Sequence, residues 1–116
     1  MKESIAHIHF IRLATFDRGA KGLLSDSDEQ AMESDIAANP TGAPVVADSG
    51  GCRKIRLAVK GRGKSGSARA LYLYIEKAQT VILLWAYPKN ARENISAGEK
   101  KIIRSLVKTL KEEFDS

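Results

Sequence analysis

The stretch Arg53-Lys54-Ile55-Arg56-Leu57-Ala58-Val59-Lys60 decides how the rest of the chain is read. Ile55, Leu57 and Val59 alternate with Lys54, Arg56, Ala58 and Lys60, and a period of two marks a half-buried strand. One side of this strand is apolar and the other cationic. Successive strand side chains point to opposite sides, so Lys54, Arg56 and Lys60 share one surface. After the loop Gly61-Arg62-Gly63-Lys64-Ser65-Gly66-Ser67 a second strand runs from about Ala68 to Glu76. Arg69 stands at its start, and Leu71, Leu73 and Ile75 alternate with Tyr72 and Tyr74. Lys77 and Gln79 mark a tight hairpin into a third strand, Thr80 to Tyr87, whose nearly unbroken apolar run suits a central, fully buried strand.

Toward the N-terminus, His7 to Leu13 reads as a short strand with His7 and His9 on its exposed side. Phe16 to Leu24 allows one or two helical turns. The Ser25-Asp26-Ser27-Asp28 cluster then offers an N-cap, with acids at the positive end of a helix dipole. The helix it starts spans about Ser27 to Ala38, with Ala31, Met32, Ile36 and Ala37 on or near its buried stripe. Pro40 disfavours helical geometry at Asn39 and ends it. Thr41 to Gly51 is a connection with one short strand at Val45-Val46. Toward the C-terminus, Pro88-Lys89-Asn90 opens a loop that lasts to about Ser96. Ser96-Ala97-Gly98-Glu99 is a capping box, and the following helix, to about Phe114, places Ile102, Ile103, Leu106, Val107 and Leu110 at helical spacing. The order is β-α-α-β-β-β-α, an α+β fold with a mainly antiparallel sheet and helices packed on it. A chain of 116 residues is read as one domain, 1–116, because two cores would each be too small.

The charge is unevenly placed. Residues 1–50 carry four bases against eight acids, whereas residues 51–116 carry fifteen bases against six acids. Between Asp48 and Glu76 there are seven bases and no acid, a self-repelling block that calls for a polyanionic partner. The single cysteine, Cys52, excludes an intramolecular disulfide, and with only two histidines a structural zinc site is not expected. No apolar run approaches the length of a membrane span. The first residues lack the pattern of a secretory signal, so a cytoplasmic address is expected.

The glycine-rich loop is not a nucleotide-hydrolysing phosphate loop. Its glycine spacing is wrong and both flanks are strands rather than strand and helix. Arg62 and Lys64 fit better as basic loop residues that touch a nucleic-acid backbone, against the plainer reading of a solvated turn. The cationic strand surface of Lys54, Arg56 and Lys60, with Arg53 and Arg69 beside it, can hold a phosphodiester and neutralise charge that develops on it. Tyr72, Tyr74 and Tyr87 lie on neighbouring strands, where a tyrosine can stack on a base. Tyr87, close to Lys89 at a strand end, is the most suggestive of them. The basic half has no paired carboxylates positioned for metal binding or acid/base work, Glu76 and Glu93 being isolated, and no Ser-His-Asp arrangement is plausible, so any catalysis would fall to cations and a tyrosine, without metal.

Four blocks taken together resemble the HigB branch of the RelE toxin superfamily: Gly50-Gly51-Cys52-Arg53-Lys54-Ile55-Arg56, the loop Gly61 to Gly66, Ala68-Arg69 with Tyr72, and Leu83-Leu84 followed by Tyr87-Pro88-Lys89-Asn90. Glu99-Lys100-Lys101 closes the pattern, and the resemblance covers about residues 30–114. It departs at Cys52 (usually leucine), Ser67 (usually glycine) and Pro88 (usually a small residue). The resemblance implies the toxin half of a bacterial type II toxin–antitoxin pair, with no cofactor. It implies a metal-independent endoribonuclease, an mRNA interferase that cuts mRNA in the ribosomal A site through attack of the ribose 2′-hydroxyl. Carried onto this sequence, it would make Arg69 the stabiliser of the phosphorane, with Lys54, Arg56 and Lys60 orienting the phosphate and transferring protons. Lys89 with Tyr87 would complete the site, and Arg53, Arg62, Lys64 and Tyr72 would bind RNA. The implied partners are mRNA, the ribosome and a cognate antitoxin with a helix-turn-helix domain. Two other readings keep the basic surface without cleavage: an RNA- or ribosome-binding module, and a protein that only docks an acidic antitoxin segment.

Overall fold

A computed structural model of the chain describes residues 7–59, 67–91 and 95–115. The elements follow the expected order: β1 (His9–Arg12), α1 (Ala14–Ala20), α2 (Asp26–Ala38), β2 (Arg53–Leu57), β3 (Ala68–Ile75), β4 (Thr80–Pro88) and α3 (Ala97–Asp115). The caps act as anticipated. Asp28 N–H donates to Ser25 Oγ and Ser25 N–H to the Asp28 carboxylate, at 3.1 and 3.0 Å. Ser96 and Glu99 reciprocate in the same way at the start of α3. In each box a hydroxyl and a carboxylate satisfy helix-end N–H groups that have no intrahelical acceptor.

The four strands lie in the order β1-β4-β3-β2, with β1 parallel to β4 and the other neighbours antiparallel. Helices α1 and α2 cover one side of the sheet, where Phe16, Met32, Ile36, Leu57, Ala70, Tyr72, Val81 and Leu83 form a buried cluster. Helix α3 covers the other, where Cys52, Leu71, Leu73, Ile82, Leu84, Ile103, Val107 and Leu110 form a second. Strand β4, apolar on both sides, is thereby central, as its sequence requires.

Three local expectations are corrected. Ala31 and Ala37 are exposed, so α2 buries a narrow stripe of Asp28, Met32 and Ile36 spaced by four. Ile102 is 70% exposed, because α3 turns only Ile103, Val107 and Leu110 fully into the core. Strand β2 ends at Leu57 and not at Lys60, which lies outside the described residues.

The loop before β2 is tied down from several sides. Ser49 is fully buried; its hydroxyl donates to Val46 O (2.7 Å) and accepts from Cys52 N–H (3.0 Å). From α3, Arg104 donates to Asp48 O and Lys111 to Gly50 O. Cys52 sits beneath this clamp without solvent exposure, and burial pushes its thiol up to about 12. The thiolate is the nucleophile, so native protein at pH 8 is expected to resist iodoacetamide and to be alkylated rapidly once unfolded in guanidinium. Rapid alkylation of native protein, read by mass spectrometry, would contradict the buried placement.

Candidate functional site

Strand pairing brings the expected cations together. Arg56 pairs with Arg69 across β2 and β3, and Arg69 pairs with Tyr87 across β3 and β4. Directly paired residues project to the same side, so these three form one row on the α3 side of the sheet. Lys54, opposite Leu71, begins the next row on that side. Arg56 is exposed, whereas Lys54 and Arg69 are half-buried.

Tyr87 joins this row because of a β-bulge. Counting by twos from Val81 would put Leu83, Trp85 and Tyr87 together against α1 and α2. In the structure Leu71 faces Trp85 while Tyr72 faces Leu83, so β4 carries one extra residue at Leu84. The insertion reverses the alternation and turns Tyr87 to the cationic side. Only 4% of Tyr87 is exposed, and its ring centroid lies 4.8 Å from that of Trp85. Tyr87 is therefore packed into the α3-side cluster beside Arg69, and its ring is not a stacking surface. Lys89 follows one residue later, after Pro88, exposed at the start of a short 3-10 turn. Pro88 closes β4 opposite Ala68, and the next N–H, that of Lys89, donates to Ser67 O at 3.0 Å. The missing proline donor therefore leaves the strand end intact.

Arg53 and Tyr72 project to the opposite side of the sheet, a placement that corrects the expectation of an RNA-facing pair. The Arg53 guanidinium donates to Thr41 O (2.9 Å) and Ala43 O (2.7 Å). Tyr72 is fully buried, its hydroxyl donates to Pro40 O at 2.7 Å, and burial raises its pKa. Together they hold the α2–β2 connection against the sheet, and the fully buried Tyr72 ring is closed to stacking on a base. Lys60, Arg62 and Lys64 lie outside the described residues.

A groove of about 520 Å³ runs along the β2 edge, lined by Lys54, Ile55, Arg56, Arg69, Ala43, Pro44 and Asp35. A second, of about 340 Å³, shares Lys54 and Pro44 and adds Lys100 and Ile95. Lys54 stands on the wall between them. Arg12 forms ion pairs with Asp17, Glu29 and Glu33 far from this edge, and among the described residues no carboxylate pairs with Lys54, Arg56, Arg69 or Lys89. Lys54, Arg56, Arg69 and Lys89 therefore keep their charge available to a ligand. Sequence reading missed two lining residues. Lys100 is contributed by α3, which no local signal ties to this edge. Asp35 comes from the last turn of α2, and its one sequence hint is an acid at the helix end where the dipole disfavours it.

A half-covered sheet edge that gathers uncompensated cations into one groove defines a class of small α+β protein suited to a phosphate-bearing polymer. A family model described as the RelE toxin of the RelE/RelB toxin–antitoxin system matches residues 9–115. The chain belongs to this family of toxins and is the toxin component of a toxin–antitoxin system, with an antitoxin as its partner. Its fold is similar to that of a mutant of E. coli toxin RelE in the free state, with 17% identity and a TM-score of 0.50 over 74% of this chain and 87% of that one. No helix among the described residues is long and apolar enough to cross a membrane.

Proposed function

We propose that this toxin is an endoribonuclease of the HigB type that cleaves mRNA on the ribosome, in the cytoplasm, and is held in check by an antitoxin with a helix-turn-helix domain. The observation that carries the reading is the run Lys54, Arg56 and Arg69 in one groove with no carboxylate paired to any of them. Cleavage needs no metal. The ribose 2′-hydroxyl gives up its proton and its oxygen attacks the adjacent phosphorus. The pentacovalent phosphorane then collapses, the bond to the 5′-oxygen breaks, and that oxygen takes a proton. The products are a 2′,3′-cyclic phosphate and a 5′-hydroxyl end.

Each step has a candidate among the cations that the sequence singles out. Arg69, fixed in mid-sheet, faces the equatorial oxygens and stabilises the charge that grows on them. Arg56, more exposed, captures the incoming phosphate in a bidentate manner. Lys54 and Lys60 carry the protons, and Lys89 contacts the departing strand. Tyr87, paired beside Arg69 on β4, acts as a positioning residue, while Arg62 and Lys64 add backbone contacts.

Induction of the chain without its antitoxin should arrest growth, with translated mRNAs cut at discrete sites that primer extension maps. Binding to ribosome-free RNA should weaken steeply between 50 and 200 mM salt, because each phosphate contact releases counterions. Harmless expression with intact mRNA would refute the nuclease reading, and salt-insensitive binding would refute its electrostatic basis.

A further inference from the structure

Asp35 is the one carboxylate on the wall of the cationic groove among the described residues. It is exposed, and it makes no hydrogen bond or ion pair with any described residue, so its oxygens lie beyond ion-pairing distance of Lys54, Arg56 and Arg69. Local stability does not account for it. Aspartate is a poor helix former, and the last turn of α2 (Asp26–Ala38) presents the negative end of the helix dipole with no basic residue to offset it. A groove that held phosphate alone would bind better without a negative charge facing the ligand. What a carboxylate adds is acceptors: it offers two oxygens and no donor.

Unpaired RNA bases are read by hydrogen bonds to their Watson–Crick edges. Guanine presents two parallel donors there, N1–H and N2–H, which match the two oxygens of a carboxylate. Adenine and cytosine present one amino group beside a ring-nitrogen acceptor, and uracil one N–H between two carbonyls. Each of these sets an acceptor against one carboxylate oxygen. We propose that Asp35 is a specificity-determining residue that accepts hydrogen bonds from a guanine lying in the groove beside the phosphate held by Lys54, Arg56 and Arg69. The inference rests on the reading of this groove as an RNA site, but not on cleavage.

The test uses the full chain and short single-stranded oligoribonucleotides that differ at one central base, made uncleavable by 2′-O-methylation at that nucleotide and its neighbours. Fluorescence anisotropy should show the guanine oligonucleotide bound roughly ten- to a hundredfold more tightly than its uracil counterpart, the scale of a good bidentate base contact. In Asp35→Asn that preference should collapse. Affinity for the uracil oligonucleotide should hold or rise, because a repulsive charge has left the groove. The melting temperature should stay level or rise, since Asp35 is exposed and works against its helix end. Equal binding of all four bases by wild type would overturn the inference, even if the protein cleaves mRNA in cells. So would a uniform loss of affinity in Asp35→Asn. A guanine preference in a protein that cuts no mRNA would leave the inference standing and sink the nuclease reading instead.

Discussion

Gly19→Ala should destabilise the protein by about 1–3 kcal/mol, although alanine is the better helix former. The two effects can be weighed. Within α1 the substitution gains about 1 kcal/mol of helix propensity. However, a Cβ on Gly19 would lie 2.1 Å from the carbonyl oxygen of Ala86, 3.1 Å from its carbon and 3.3 Å from its nitrogen. These are backbone atoms of the central strand, so no side-chain rotation relieves the clash. One turn earlier, Thr15 Oγ1 donates to Leu84 O at 2.5 Å and pins the helix flat against the same strand. Helix and strand must separate, at a cost of roughly 1–3 kcal/mol or more for overpacking, together with loss of the Thr15 bond. Thermal denaturation should register a fall of roughly 5–15 °C. Gly98 supplies the contrast. A Cβ there meets nothing within 4 Å, so Gly98→Ala should hold or raise the melting temperature by a few degrees. If Gly19→Ala melts no lower than wild type, the close approach of α1 to β4 is wrong.

The second large effect concerns Arg69. On the proposed mechanism, Arg69→Ala should lower the rate of mRNA cleavage roughly 10²–10³-fold, the usual loss when one stabiliser of a developing oxyanion is removed. Growth arrest on induction should disappear. Folding should survive, because Arg69 is half-buried and its side-chain hydrogen bond, Nη1 to Ala68 O at 3.2 Å, is to its own neighbour on β3. Arg69→Lys should recover only part of the activity, since a point charge cannot reproduce the planar fork. Arg56→Ala should act mainly on binding, raising KM more than it lowers kcat. A melting temperature matching wild type, with cleavage also matching, would remove Arg69 from the site. The same cleavage loss with a collapsed melting temperature would assign it to structure.

The local signals in the sequence proved dependable wherever the physics is short-ranged. Ser25 with Asp28 and Ser96 with Glu99 satisfy helix-end N–H groups within three residues of themselves. The alternation Ile55-Arg56-Leu57 and the apolar run Val81 to Ala86 similarly report burial of a strand from its own composition. Lys54, Arg56 and Arg69 were therefore readable as neighbours on cationic strand faces before any pairing was known. Tyr72 and Arg53 were not readable in this way. Alternation says that a strand has two sides but not which helices cover each, and here α1 and α2 claim the side that Arg53 and Tyr72 occupy.

By itself, then, the sequence determined the element order, the helix starts, the central place of β4 and the concentration of positive charge after Asp48. Tertiary structure alone decided three further points. Parallel pairing of β1 with β4 joins residues 9–12 to residues 80–83, across a separation where chain entropy hides any local preference. The bulge at Leu84 carries no local signature, yet a one-residue slip moves every later side chain to the other side, and so brings Tyr87 beside Arg69. Asp35 reaches the groove only because α2 packs over the sheet near its β2 edge. The cationic strand Arg53 to Leu57 is visible from its alternation; the lone carboxylate on the wall of its groove comes from a distant segment that packing alone brings to it.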